Sequence, residues 1–191
     1  MEPLVVDSET RWRLVRKLRQ NPEEPQTPVL IRDALEQDLP QVRDIYNFFI
    51  QNTVITFDDK PLDLGYWQDI HQLLTKNSLP FIVLARGEQV LGFAYVAPWR
   101  QKTSYLKIVE NSIYLAAAAT GKKLGSRLFA ELIERCRQSG IKEIIAVIAD
   151  RGAHASIALH KKHGFLEQGH LADVAVRFGR PIGSYLYSLK L

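Results

Sequence analysis

From Leu30 onward the apolar residues recur at two different spacings, and each change of spacing marks an element. A short strand at Leu30 and Ile31 precedes "EQDLPQVRDIYNFFIQ", where Leu39, Val42, Tyr46 and Phe49 return every three or four residues and predict a helix. Asp38 stands at its cap, and Pro40 falls in the first turn, where an N–H would have no partner anyway. After "NTVITFDDKPLD", the run Leu64, Trp67, Ile70, Leu74 predicts a second helix. The period then changes. "PFIVLARGEQVLGFAYVAPW" is β-branched and aromatic-rich on both sides of Arg86-Gly87-Glu88-Gln89, which predicts a hairpin. "KIVENSIYL" is a third strand, running through "AAAATGKKLGS" into a helix that Gly140 ends after about Gln138. "KEIIAVIA" restores a strand, and "SIALHKKHGF" is a short helix with His160 to His163 at its negative end and Gly164 at its cap. The final strands are expected at Ala172–Phe178 and Ser184–Leu189, separated by "GRPIG". This order predicts an α/β (α+β) domain, a mixed sheet with helices on both faces.

A length of 191 residues with 46% hydrophobic content suits one domain with a real core. Residues 29–191 form that domain and residues 1–28 an extension: "SETRWRLVRKLRQ" reads as a short basic helix and "NPEEPQTP" as a linker. The net charge of +4 is modest and spread along the chain, so charge selects no partner, and no base-stacking pattern supports nucleic-acid binding. The single cysteine, Cys136, falls on the apolar side of a predicted helix, which excludes an internal disulfide and fits a reducing compartment. No apolar run reaches the length of a bilayer crossing and the N-terminus lacks a secretory signal, so a cytoplasmic protein without a membrane partner is expected. The histidines are not at ligand spacing with acidic partners, so neither a metal site nor a nucleophilic triad is expected.

Two stretches carry candidate chemistry. In "TGKKLGSRLF" Gly121 and Gly125 bracket basic and small residues just ahead of the apolar run Leu128, Phe129, Leu132, Ile133. Unpaired N–H groups and the positive end of the dipole make a helix start an anion site, and glycines let the backbone come close. The same letters equally describe an ordinary helix start with solvated lysines. In "IVENSIYL", Glu110 sits mid-strand, where a carboxylate either faces a cavity or points to solvent from an edge.

The element order, with "VENSIYLAAAATGKKLGSRLF" and "SIALHKKHGF", resembles the Gcn5-related N-acetyltransferase (GNAT) superfamily. "IYN", "NTVITFDDKP", "FAYVAPW" and "FGR" at residues 178–180 narrow the resemblance to its phosphinothricin and methionine sulfone acetyltransferases. The resemblance implies a mainly antiparallel central sheet, acetyl-CoA as cosubstrate, a small amine as acceptor, and commonly a homodimer. It implies that Thr120, Gly121, Lys122, Lys123, Leu124, Gly125 and Ser126 hold the pyrophosphate, and that a backbone N–H near Ile113 or Leu115 polarises the thioester carbonyl. Glu110 is implied as the base for the amine proton. His160 is implied either to line the acetyl site or to protonate the leaving thiolate, and on the residues alone it is equally a helix cap. Phe57, Tyr95, Trp99 and Tyr105 are candidate walls of an amine pocket. The chain departs from the family pattern at Thr120 (glutamine or arginine), Lys123 (a middle glycine), Ala116 to Ala119 (a polar approach with proline), Ala153 (an asparagine on the pantetheine arm), Leu106 and Ile108 (polar residues) and Pro181 (tryptophan). Those departures support a competing expectation, a degenerate member of the fold that binds CoA weakly and serves as a binding or regulatory protein.

Overall fold

The computed structural model describes residues 27–191 apart from 101, 103, 104, 106 and 121. The expected basic helix of the N-terminal extension, and the readings of Leu106 and Gly121, therefore lie outside the described residues. In chain order, β1 (Val29–Asp33) precedes α1 (Leu39–Asn52) and α2 (Leu64–Lys76), then the hairpin of β2 (Phe81–Arg86) and β3 (Gln89–Pro98). β4 (Ile108–Leu115), α3 (Leu124–Gln138), β5 (Glu143–Ala149) and α4 (His154–Lys162) follow, and β6 (Leu166–Arg177) and β7 (Arg180–Lys190) close the chain. The seven strands form one sheet in the order β1-β2-β3-β4-β5-β7-β6. Every pairing is antiparallel except β4 with β5.

Alternation along the strands sorts side chains onto the two faces, and the helices cover both. One face packs Val109, Ile144 and Ala146 against Leu128, Phe129 and Leu132 of α3. The other packs Val83, Phe93 and Tyr95 against Val42, Tyr46 and Ile50 of α1 and Trp67 and Leu74 of α2. Each such side chain contributes about 1.5–3 kcal/mol on burial, so the amphipathic stripes of the helices are what fix them to the sheet. Cys136 lies fully inside the first of these layers, where burial pushes its thiol up to about 12. It is an inert core residue.

Three local expectations are corrected. Asp38 occupies the N-cap position of α1 but its side chain makes no cap bond. The buried carboxylate instead holds both guanidinium nitrogens of Arg32, at 2.5 and 2.8 Å, and accepts from Leu35 N at 2.8 Å. The second correction concerns β6 and β7, which are far longer than the apolar runs that suggested them. β6 is an edge strand with most side chains exposed, so no apolar alternation marks its first half. Third, the turn between them is Phe178–Gly179 alone, both at positive φ, the geometry of a two-residue hairpin that matches strand twist. Pro181 is tolerated inside β7 because pairing with β5 begins only at Ser184.

Close approach of β3 and β4 depends on Gly92. A Cβ there would meet Leu115 Cδ2 at 2.4 Å and the Tyr114 carbonyl at 2.8 Å. Leu115 thus sits tight against β3, at the end of β4 that leads into α3.

Candidate active site

The site is created by a failure of pairing. β4 and β5 are in register only at Ile108–Glu143, Val109–Ile144 and Glu110–Ile145, yet β4 continues to Leu115 and β5 to Ala149. Beyond Glu110 the strands part. Trp99 N donates to Ile108 O and Ala116 N to Leu91 O, so the even-numbered residues of β4 turn their backbone groups to β3. By alternation Ile113 and Leu115 turn theirs into the opening, beyond the last β4–β5 pair. The expected N–H donors at Ile113 and Leu115 are therefore placed along an unpaired strand edge inside the protein.

Two cavities meet at this opening. One, of about 290 Å³, lies between Glu110, Tyr46, Phe57, Asp58 and Tyr95 on one side and Ala153, Ser156 and His160 on the other. The second, of about 470 Å³, is lined by Leu115, Thr120, Lys123, Leu124, Gly125, Ser126 and Lys162. Ile55, Ile113, Tyr114 and Ser156 line both, so the two adjoin at the split in the sheet, a passage walled in common by these four residues.

Glu110 faces the first cavity from the α1–α2 side, among a cluster of aromatic rings. Tyr46 packs edge-on against Trp67 and Tyr114, with centroids 5.3 and 4.9 Å apart, and its hydroxyl donates to Asp58. Burial in these surroundings raises the Glu110 pKa, against a smaller downward pull from Arg100. The carboxylate forms no ion pair among the described residues. It is a group held closer to neutrality than an ordinary glutamate, as proton transfer near neutral pH requires.

His160 projects from the last turn of α4 into the interior, 2% exposed, with Phe129 and Phe165 edge-on at 4.6 and 4.9 Å. Nδ1 lies 2.8 Å from the Ser156 carbonyl, which can only accept, so Nδ1 carries the proton. Burial lowers the His160 pKa to about 4, so the ring is neutral and Nε2 is an acceptor. Asn111 Nδ2 donates to it at 3.0 Å. The surface-cap alternative is excluded by this burial. Nε2 at neutral pH therefore has no proton to give a thiolate, and it borders the cavity as an acceptor for Asn111.

The start of α3 leaves N–H groups free, as an anion site would need. Lys123 is the N-cap of α3 and makes no side-chain cap bond, leaving the first-turn N–H groups of Leu124, Gly125 and Ser126 without intrahelical partners. Lys123 adopts φ +60°, a left-handed conformation that glycine takes without steric cost. Lys123, where the resemblance implies a glycine, thus holds a conformation that suits one. Ser126 Oγ accepts from Lys162 Nζ at 2.9 Å and shares a hydrogen bond with His163 Nε2, also at 2.9 Å. Thr120 Oγ1 donates to Ala117 O at 2.8 Å, and Lys122 is exposed and lines neither cavity.

Lys123→Gly is expected to raise folding stability by about 1 kcal/mol, the cost of a side chain in the left-handed region, read as a higher urea midpoint. The same change removes an ammonium from the cavity wall. Acetyl-CoA should then bind about two- to fivefold more weakly at low salt, and the difference should vanish at high salt.

Of the expected aromatic walls, Phe57 and Tyr95 line the Glu110 cavity. Trp99 and Tyr105 line neither cavity. Trp99 lies past the end of β3, folded back on Ile108 and covered by the Arg100 guanidinium at 4.6 Å, and Tyr105 is exposed. The sequence reading missed Tyr46, Asp58, Ser156 and Asn111. A signal existed for Asn111, since period-two alternation places it on the same buried face as Val109 and Ile113.

The sheet parts at its one parallel pair, beside a helix start whose first-turn N–H groups are free to meet an anion. The chain matches the acetyltransferase (GNAT) family over residues 42–165. It is 38% identical over 152 residues to an L-methionine sulfoximine/L-methionine sulfone acetyltransferase of Pseudomonas aeruginosa, spanning 78% of this chain and 87% of that one. It is 31% identical to a phosphinothricin N-acetyltransferase of Alcaligenes faecalis, spanning 82% and 79%. Similar solved structures include a putative acetyltransferase of Salmonella typhimurium with its cofactor acetyl-CoA, at TM-score 0.83 and 29% identity over 86% of this chain and 94% of that one. Another is a phosphinothricin acetyltransferase of Sinorhizobium meliloti in complex with acetyl-CoA, at TM-score 0.80 and 34% identity over 85% and 88%. The protein belongs to the acetyltransferase (GNAT) family.

Proposed function

We propose that the protein is an N-acetyltransferase that moves the acetyl group of acetyl-CoA to the free amine of a small amino-acid-like molecule. The observation that carries this reading is the passage through the split sheet, which joins the helix-start cavity to the Glu110 cavity. A donor with phosphates at one end and a thioester at the other fits it lengthwise. The phosphates would lie against the N–H groups of Leu124, Gly125 and Ser126, with Lys123 and Lys162 at the wall. The acyl end would lie along the open edge of β4, where an N–H of Ile113 or Leu115 stabilises the oxyanion formed from its carbonyl.

The amine enters from the α1–α2 side, past Phe57, Asp58 and Tyr95. Glu110 accepts the ammonium proton, and the uncharged nitrogen attacks the thioester carbon. The tetrahedral intermediate then collapses, breaking the C–S bond and releasing CoA thiolate, which takes a proton from solvent or from the nitrogen. No covalent enzyme intermediate is required, and His160 serves as a positioning residue through Asn111.

Calorimetric titration with acetyl-CoA, followed by thiol release across a panel of amino acids and their sulfone, sulfoximine and phosphinate analogues, tests the reading. Binding in the micromolar to millimolar range with amine-dependent thiol release is expected. No response to millimolar acetyl-CoA would reject it in favour of a non-catalytic member of the fold.

A further inference from the structure

The carboxamide of Asn111 is a polar group of the passage that the proposed chemistry leaves without a direct task. It is 7% exposed. Its Nδ2 donates to His160 Nε2 at 3.0 Å, and the direction of that bond is fixed because His160 spends its own proton on the Ser156 carbonyl at 2.8 Å. With one end of the planar amide anchored, the other end has a fixed aim. Oδ1 is buried and has no hydrogen-bond partner among the described residues. An acceptor in that condition costs stability unless a ligand or a water supplies the donor.

We infer, on the basis of the acetyl-CoA reading above, that Asn111 Oδ1 accepts the sulfur-proximal amide N–H of the pantetheine arm and so holds the thioester where β4 and β5 part. The order of residues along β4 argues for this donor. Leu115 lines the helix-start cavity, Ile113 lines both cavities, and Asn111 lines the Glu110 cavity. A ligand with its phosphates at α3 and its reactive end near Glu110 passes Leu115, Ile113 and Asn111 in turn, over roughly 13 Å of strand. Asn111 is the last of them before pairing resumes at Glu110–Ile145. The donor met there belongs to the reactive end of the arm, where an amide N–H stands two carbons from the sulfur.

The acceptor amine is placed less well for this contact. Alternation sends Glu110, Ser112 and Tyr114 to the α1–α2 face and Asn111 to the opposite one, with Ile113, Ser156 and His160. Ala153, also facing this cavity from the start of α4, has only a methyl group to offer. The histidine thus acts through the carboxamide: it holds the amide so that oxygen, and not nitrogen, meets the cosubstrate.

Calorimetry on the intact protein tests the assignment. Asn111→Leu should bind acetyl-CoA about tenfold more weakly, as expected for one lost hydrogen bond in a buried site. Its affinity for adenosine 3′,5′-bisphosphate, which lacks the arm, and its KM for the amine should be unchanged. Equal losses for acetyl-CoA and the bisphosphate would make Asn111 a merely structural residue and overturn the inference. A raised amine KM with unaltered acetyl-CoA affinity would overturn it by giving the contact to the amine. Should Asn111→Leu not fold, the unmodified protein still decides the matter. An acetyl-CoA analogue methylated on the sulfur-proximal amide nitrogen should bind about tenfold more weakly than acetyl-CoA, and equal binding would overturn the inference. Loss of all acetyl-CoA binding by the unmodified protein is a separate result, which overturns the acetyltransferase reading and this contact with it.

Discussion

Glu110→Gln is expected to lower turnover about 10²–10⁴-fold, the range for loss of a general base, while acetyl-CoA affinity by calorimetry stays within error. The two readouts separate because the carboxylate lines the cavity proposed for the amine and the turn proposed for the phosphates lines the other. In the unmodified protein the acidic limb of the kcat/KM profile should follow Glu110, whose pKa burial has raised, and that limb should be lost in the variant. Stability should move the opposite way to activity. A raised folded-state pKa means that the folded protein favours the protonated carboxyl. The ionised form therefore costs stability as pH rises from the unfolded value through the folded one, with the full cost above both. Glutamine escapes this cost. Glu110→Gln should melt higher than the unmodified protein at neutral pH, with the advantage shrinking as pH falls toward the unfolded value. Unchanged turnover with a good substrate would remove Glu110 from the mechanism.

Gly125→Val is expected to abolish measurable acetyl-CoA binding, a loss of about 100-fold or more, with the fold retained in thermal unfolding. A Cβ at residue 125 would stand 3.1 Å from Leu115 Cδ1, and the branched methyls of valine extend further. Leu115 cannot retreat toward β3, since its other methyl already takes the space that Gly92, lacking a side chain, leaves there. The end of β4 is gripped between two glycines. A valine must therefore displace Leu115 along the open strand edge or fill the space in front of the first-turn N–H groups, and either blocks the passage. Gly125→Ala, whose single methyl meets only the end of a flexible side chain, should bind acetyl-CoA more weakly than the unmodified protein but detectably. Full binding by the valine variant would show that the phosphates lie elsewhere.

How much of this was legible in the chain differs from element to element. The helices α1, α2 and α3 and the hairpin of β2 and β3 were readable because each buries one stripe or both faces, and burial leaves a periodic trace in the residues. β6 left no such trace, because an edge strand held by backbone pairing with β7 imposes little on its exposed side chains. The glycine turn, Glu110 and His160 could be singled out as residue types in an order, but their relation to one another could not. Consecutive residues Glu110 and Asn111 serve opposite faces of the sheet, and only the early end of the β4–β5 ladder lets both border one cavity. Asp38 shows the same limit on a smaller scale, since a competing guanidinium six residues earlier took the carboxylate from the cap.

The sequence by itself therefore determined the order of elements, the faces that pack, and the place of a glycine-containing turn before a helix. These follow from local periodicity and backbone freedom, which act over a few residues. Tertiary structure alone decided that β4 and β5 part after three pairs, that His160 is buried and neutral with its Nδ1 proton donated to the Ser156 carbonyl, and that the side-chain oxygen of Asn111 is buried without a partner among the described residues. Each of these depends on groups brought together across dozens of residues, where burial and hydrogen-bond partners are set by the packing of the whole domain and not by the neighbours in the chain.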